Sequence, residues 1–226
     1  MHKIVSEFDI KLNATDVLKG QGIDPERASK RLFETAEAVI NEAEALLKPA
    51  SIYTVTDVIE LEHQTVRFTG GEFQGSLVQK SMAGAEQLYV AVCTIGDALE
   101  NRVDQLMSED PVKAIALDGA GITALRKVSL TVEDLISKET CALNLSQGMR
   151  AQPGQEGWPI EQQREVFKIL PCDQIGVRLT ESCLMLPRKS VSFVTPRGKN
   201  LSDAKAPCDF CSKRGRCEWR KEKQIV

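Results

Sequence analysis

The stretch Gln87-Leu88-Tyr89-Val90-Ala91-Val92-Cys93-Thr94 decides the fold. It is a continuous apolar run of strand length, closed by Ile95-Gly96. Helical patterns flank it. Residues 97–107 read as one helix, and Asp110-Pro111 opens a longer one reaching about Lys138. The longer helix carries Gly119, Gly121 and many alanines, so another element is expected to pack close against it. Upstream, residues 75–83 read as a short helix. Residues 51–68 read as strands, with Gly70-Gly71 as a turn. Residues 25–47 read as a helix: Asp24 caps it, Pro25 opens it, Leu32, Ala36, Val39, Ile40, Ala43 and Leu47 share one face, and Pro49 stops it. Residues 1–20 only alternate weakly. Downstream come a loop over 145–161, a helix over 160–170 and two strands over 176–180 and 189–194. This order predicts an α+β fold, with helices packed on a twisted, largely antiparallel sheet. The organisation reads as an N-terminal helical and strand region (1–85), a core (86–196) and a cysteine-rich tail (197–226).

Composition narrows the function. The 226 residues suit one domain with a small appendage; 42% are apolar and 27% charged, as in ordinary globular proteins. A net charge of −3 gives no global attraction to nucleic acid, and a 5% aromatic share argues against base stacking. The N-terminus lacks the apolar segment of a signal peptide, and no run approaches the length of a spanning helix, so a cytoplasmic protein with no membrane partner is expected. There the seven cysteines are not expected to form disulfides. The two histidines, His2 and His63, rule out a multi-histidine zinc site, and His63 reads as a surface strand residue. No general base can be assigned, so an enzymatic activity stays open.

Three motifs carry chemistry. The sharpest is Cys208-Asp209-Phe210-Cys211-Ser212-Lys213-Arg214-Gly215-Arg216-Cys217, a C-x2-C-x5-C pattern. Two thiolates so spaced can face one metal from a tight turn, Gly215 lets the third return, and Lys213, Arg214 and Arg216 favour thiolates. Soft thiolates select an iron–sulfur cluster, here a 4Fe-4S cluster, or zinc. The candidate fourth ligand is Cys183, with Cys172 second; Cys93 and Cys141 read as inert core thiols. Exposed free thiols are the bland alternative. The second motif, Arg150-Ala151-Gln152-Pro153-Gly154-Gln155-Glu156-Gly157-Trp158-Pro159-Ile160-Glu161, has a path set by two glycines and two prolines. Arg150 can pair with a carboxylate and Trp158 offers a flat apolar face. An ordered surface connection is equally compatible with it. The third, residues 179–193, sets Thr180-Glu181-Ser182 beside Leu184-Met185-Leu186, which also suits a plain β-connection.

Together the second and third motifs resemble the activation domain of cobalamin-dependent methionine synthase. The matching residues are Arg150, Pro153, Gly154, Pro159 and the run from Leu179 to Ser192, and Thr94-Ile95-Gly96 is similar to stand-alone members. The resemblance covers about residues 88–194. Gln155 stands where the family motif has tyrosine, and Gly157-Trp158-Pro159-Ile160-Glu161 replaces its Ala-Cys-Pro-x-His continuation. The resemblance implies an S-adenosylmethionine groove beside the loop, drawing on Arg150, Gln152, Gly154, Gln155, Gly157, Trp158, Glu181 and Ser182. It implies a corrinoid-carrying methyltransferase or corrinoid protein as partner, reactivated by reduction and remethylation in methionine biosynthesis. Cobalamin is expected through that partner only, since no Asp-x-His-x-x-Gly motif is present. The cysteine tail adds metal binding at Cys208, Cys211, Cys217 and Cys183. It suggests electron delivery, with a ferredoxin or flavodoxin as donor. Two alternatives are a non-redox, zinc-stapled module that binds a corrinoid protein, and an S-adenosylmethionine-dependent methyltransferase, which no glycine fingerprint near the N-terminus supports.

Overall fold

The computed structural model describes residues 1–201 and Ser212. The strands are β1 (Lys3–Val5), β2 (Ala50–Glu62), β3 (Thr65–Phe68), β4 (Gly71–Gln74), β5 (Gln87–Thr94), β6 (Ser146–Gln147), β7 (Arg178–Leu179), β8 (Met185–Leu186) and β9 (Ser190–Gly198). The helices are α1 (Ala14–Gly20), α2 (Lys30–Leu46), α3 (Ser76–Ser81), α4 (Ala98–Glu109), α5 (Pro111–Ala142) and α6 (Gln163–Ile169). The expected α+β class holds. The main sheet runs β4-β3-β2-β5-β9-β6, with β1 added to β2, and every pairing is antiparallel. β7 and β8 form a separate small ladder.

β5 is the centre because both its faces are covered. Tyr89, Ala91 and Cys93 point into a core built with α1, α2, α4 and α5. Leu88, Val90 and Val92 point the other way, into a second core with Phe68, Phe73, Leu77, Trp158 and Val166. A side-chain period of two makes one strand serve both. The register Ala91↔Phe193 and Val90↔Val194 sets β9 beside it. β2 is long enough to pair with β5 through its first half and with β3 from Val58 onward, across an irregularity between Val58 and Glu60.

Several local expectations change. The helix expected over 25–47 divides: Pro25–Arg27 is a 3-10 turn, and α2 starts afresh behind Ser29, whose hydroxyl accepts the Leu32 N–H at 3.4 Å. The weakly alternating N-terminus contains α1, capped by Asn13, whose side chain accepts from the Asp16 N–H at 2.9 Å. His63 lies in the turn between β2 and β3 at φ 49, not within a strand. Cys141 is exposed in the last turn of α5 rather than in the core; Cys93 is buried as expected.

α5 organises the helical layer. Gly119 lies against α1, where an added Cβ would meet Gln21 Cγ at 2.6 Å, and a Cβ added to Gly20 would collide with the Gly119 carbonyl oxygen. The far end of α5 is tied to the sheet by Glu139, which accepts hydrogen bonds from Tyr53 (2.8 Å), Tyr89 (3.1 Å) and Lys3 (2.7 Å). No helix among the described residues is long and apolar enough to cross a membrane.

Candidate functional site

The loop after β6 is held by its own hydrogen bonds. Gly154 N–H donates to the Trp158 carbonyl at 2.8 Å, Trp158 N–H to the Gln155 carbonyl at 2.8 Å, and Gln155 N–H to the Gln152 carbonyl at 3.2 Å. The Gln155 side chain folds back, its Oε1 accepting the Gln152 N–H at 3.0 Å. Gly154 and Gly157 adopt φ 91 and φ 86, conformations that favour glycine. An isolated bridge from Ala151 to Val194 fastens the loop to β9.

The start of α3 docks onto this loop. Leu77 N–H donates to the Gly157 carbonyl at 3.0 Å, and a Cβ on Gly75 would collide with that oxygen. Trp158 is buried, its ring packed edge-on against Phe73 at 5.1 Å between centroids. Its indole N–H has no hydrogen-bond partner among the described residues. Loop, α3 start and the β2–β3 turn border an open groove of about 540 Å³, lined by Gln64, Gly75, Ser76, Gly154, Gln155, Gly157, Trp158, Pro159 and Ile160. That volume lies in the range of small-molecule sites.

Four of the expected ligand residues therefore meet: Gly154, Gln155, Gly157 and Trp158 line the groove, and Gln152 braces Gln155. Arg150 is not among the lining residues. Its guanidinium reaches α5, with Nη1 3.1 Å from Ser129 Oγ and 3.6 Å from Glu133 Oε2, and lies over the Phe193 ring. Its carboxylate partner is thus internal. Glu181 and Ser182 occupy the turn between β7 and β8 and do not line the groove either. Arg164 of α6 holds that turn by donating to the Glu181 carbonyl at 2.6 Å, and the Ser182 hydroxyl lies 3.0 Å from that of Thr180. Sequence reasoning missed Gln64, Gly75 and Ser76, which reach the groove only through tertiary packing; the glycine after β4 was the one available signal.

Cys208, Cys211 and Cys217 lie outside the described residues. Cys183 closes the β7–β8 turn at φ 62, with its side chain buried and its thiol 3.9 Å from the Glu181 carbonyl. Cys172 is buried, and burial pushes its thiol up to about 12; Cys93 is pushed up to about 12 for the same reason. Among the described residues no three His, Cys, Asp or Glu side chains gather to hold a metal. The one described residue of the cysteine motif, Ser212, donates its backbone N–H to Glu156 Oε2 at 2.9 Å, between groove-lining Gln155 and Gly157.

Residues 125–200, from the middle of α5 through β9, match the family model of the vitamin B12 dependent methionine synthase activation domain. Among solved structures, the crystal structure of the MetH reactivation domain bound to AdoHcy is similar in fold, with a TM-score of 0.63 at 15% identity over 91% of this chain and 79% of that one. No curated protein matches the chain.

Proposed function

We propose that this chain is an accessory protein for reductive reactivation of a corrinoid methyltransferase. It docks on the corrinoid-carrying partner and presents S-adenosylmethionine from the groove beside the 150–161 loop. The observation that carries the reading is that this loop, inside the segment matching the activation domain, walls a groove of ligand size. The Pro159 and Ile160 side would take the apolar part of a ligand, with the flat face expected of Trp158 turned into the core behind it, and the Gln155 amide and Ser76 hydroxyl would orient the polar part. The chemistry to be served balances simply. One electron takes the partner's cob(II)alamin to cob(I)alamin, whose cobalt electron pair takes the methyl group of S-adenosylmethionine. The C–S bond breaks, and methylcob(III)alamin and S-adenosylhomocysteine remain.

The tail is the second part of the reading. Cys208, Cys211 and Cys217 would hold an iron–sulfur cluster, with Cys183 as fourth ligand, and the Ser212–Glu156 hydrogen bond supports placing the motif beside the groove. When bound, such a cluster supplies a single electron, drawn from a ferredoxin or flavodoxin. The burial of Cys183 means that its turn has to open for ligation. Zinc in the same thiolates is the competing reading; it would make the tail a staple and the protein a capping module.

Anaerobic iron and acid-labile sulfide analysis with a visible spectrum separates the two. Iron with matching sulfide, lost in Cys211→Ala, is the expected result. Zinc alone, or no metal in wild type, would overturn the electron-delivering role. Calorimetric titration with S-adenosylhomocysteine tests the groove separately: wild type is expected to bind, and Gly154→Val to bind weakly.

A further inference from the structure

We infer that Gln155 sets the ligand preference of the groove: it offers hydrogen-bond donors in a lining without charge, so the site reads the acceptor groups of its ligand and holds a thioether as well as a sulfonium. The inference rests on the reading of the groove as the S-adenosylmethionine site, and it names what that site distinguishes.

Three observations carry it. The orientation of the Gln155 amide is fixed by the loop. Its Oε1 accepts the Gln152 N–H at 3.0 Å, while its own backbone N–H donates to the Gln152 carbonyl at 3.2 Å. Only the oxygen of an amide accepts an N–H, so what Gln155 has left to offer is its NH2 group. That nitrogen donates to no partner among the described residues, and Gln155 lines the groove. The lining is also neutral. Its polar side chains include Gln64, Ser76 and Gln155, and among the described residues no Asp, Glu, Lys, Arg or His lines it. Glu156 stands between two lining residues but is not one of them, and its carboxylate accepts the Ser212 N–H at 2.9 Å. Finally, loop carbonyls that could face a cation are engaged: those of Gln155, Gly157 and Trp158 accept the N–H groups of Trp158, Leu77 and Gly154.

The methyl donor is a sulfonium and its spent form carries an uncharged thioether sulfur, so the two differ by one methyl group and one positive charge. Telling them apart by charge needs a carboxylate close by. In an open groove filled with water, even a carboxylate at about 4 Å changes affinity only about fivefold, and salt screens more distant ones. The acceptors that both forms share, a carboxylate and ring nitrogens, are groups that an amide NH2 can bind. The spent product therefore competes with the methyl donor for the same site.

The test is calorimetric titration of the full chain with S-adenosylmethionine and with S-adenosylhomocysteine, in wild type and Gln155→Glu. The glutamate keeps the oxygen that meets the Gln152 N–H and exchanges the donor for an acidic oxygen. Wild type is expected to bind the two ligands within about fivefold of each other. Gln155→Glu is expected to bind S-adenosylhomocysteine about tenfold more weakly, from one lost hydrogen bond, and to lose less with S-adenosylmethionine, so that the ratio moves about fivefold toward the sulfonium. A change that merely loosened the loop would weaken both ligands alike. A larger wild-type preference for either ligand, or a ratio that the substitution leaves unmoved, would overturn the inference and leave the S-adenosylmethionine reading in place. If neither ligand binds wild type, that reading fails and the inference falls with it.

Discussion

At Gly75 the backbone has φ 150, and an added Cβ would collide with the Gly157 carbonyl oxygen. Gly75→Ala therefore has both an unfavourable conformation and a backbone clash. A loss of about 2–3 kcal/mol in urea denaturation is expected, with weaker binding of S-adenosylhomocysteine. Unchanged stability would show that α3 does not seat on the loop as described. Glu139 gives a pH-dependent counterpart. Burial opposes its ionisation, but hydrogen bonds from Lys3, Tyr53 and Tyr89 outweigh burial and hold its carboxyl below the ordinary range. A carboxyl depressed in the folded state stabilises above its unfolded pKa and loses that contribution as pH falls through the folded value. Glu139→Gln should cost roughly 1–2 kcal/mol at neutral pH, and the gap to wild type should close below about pH 4. A gap independent of pH would contradict this role. At this scale the sequence was legible where a residue type answers a local need, as at Gly154 and Gly157. It was less so where the partner is distant. Arg150 reads from the sequence as a carboxylate partner, yet only the fold shows Glu133 of α5 beside it.

At the scale of elements, β5 was readable from end to end because a strand buried on both faces has no polar side to blur its limits. α1 was not, because seven residues make too short a periodic pattern. The glycines of α5 did announce a close neighbour without saying which element it was. That neighbour is α1, and the crossing can be tested. Gly119→Ala should gain about 1 kcal/mol of helix propensity, but the new methyl meets Gln21 Cγ at 2.6 Å and the Val17 carbonyl at 2.8 Å. A net loss of about 2 kcal/mol is expected, seen as a melting temperature lower by roughly 4–8 °C. A raised melting temperature would mean that α1 yields freely. The division of the expected helix over 25–47 has a local cause: Ala28 turns to an extended conformation at ψ 136, and Ser29 then caps a new helix.

For the whole molecule, the two cores on either side of β5 explain how helices and groove loop share one sheet, and the α+β class followed from element order alone. The groove was legible only in part. Its loop stands out by composition, but the opposite wall comes from residues some eighty positions earlier, brought in by sheet pairing. The central proposal joins that groove to the thiolates of the tail. It is tested most directly by mixing the iron-loaded, reduced full chain anaerobically with a cobalamin-dependent methionine synthase lacking its own activation domain, held as cob(II)alamin, and following the visible spectrum with and without S-adenosylmethionine. Conversion to methylcobalamin that requires both S-adenosylmethionine and Cys211 is the predicted result. Cob(II)alamin that persists unchanged beside a fully iron-loaded protein would contradict it.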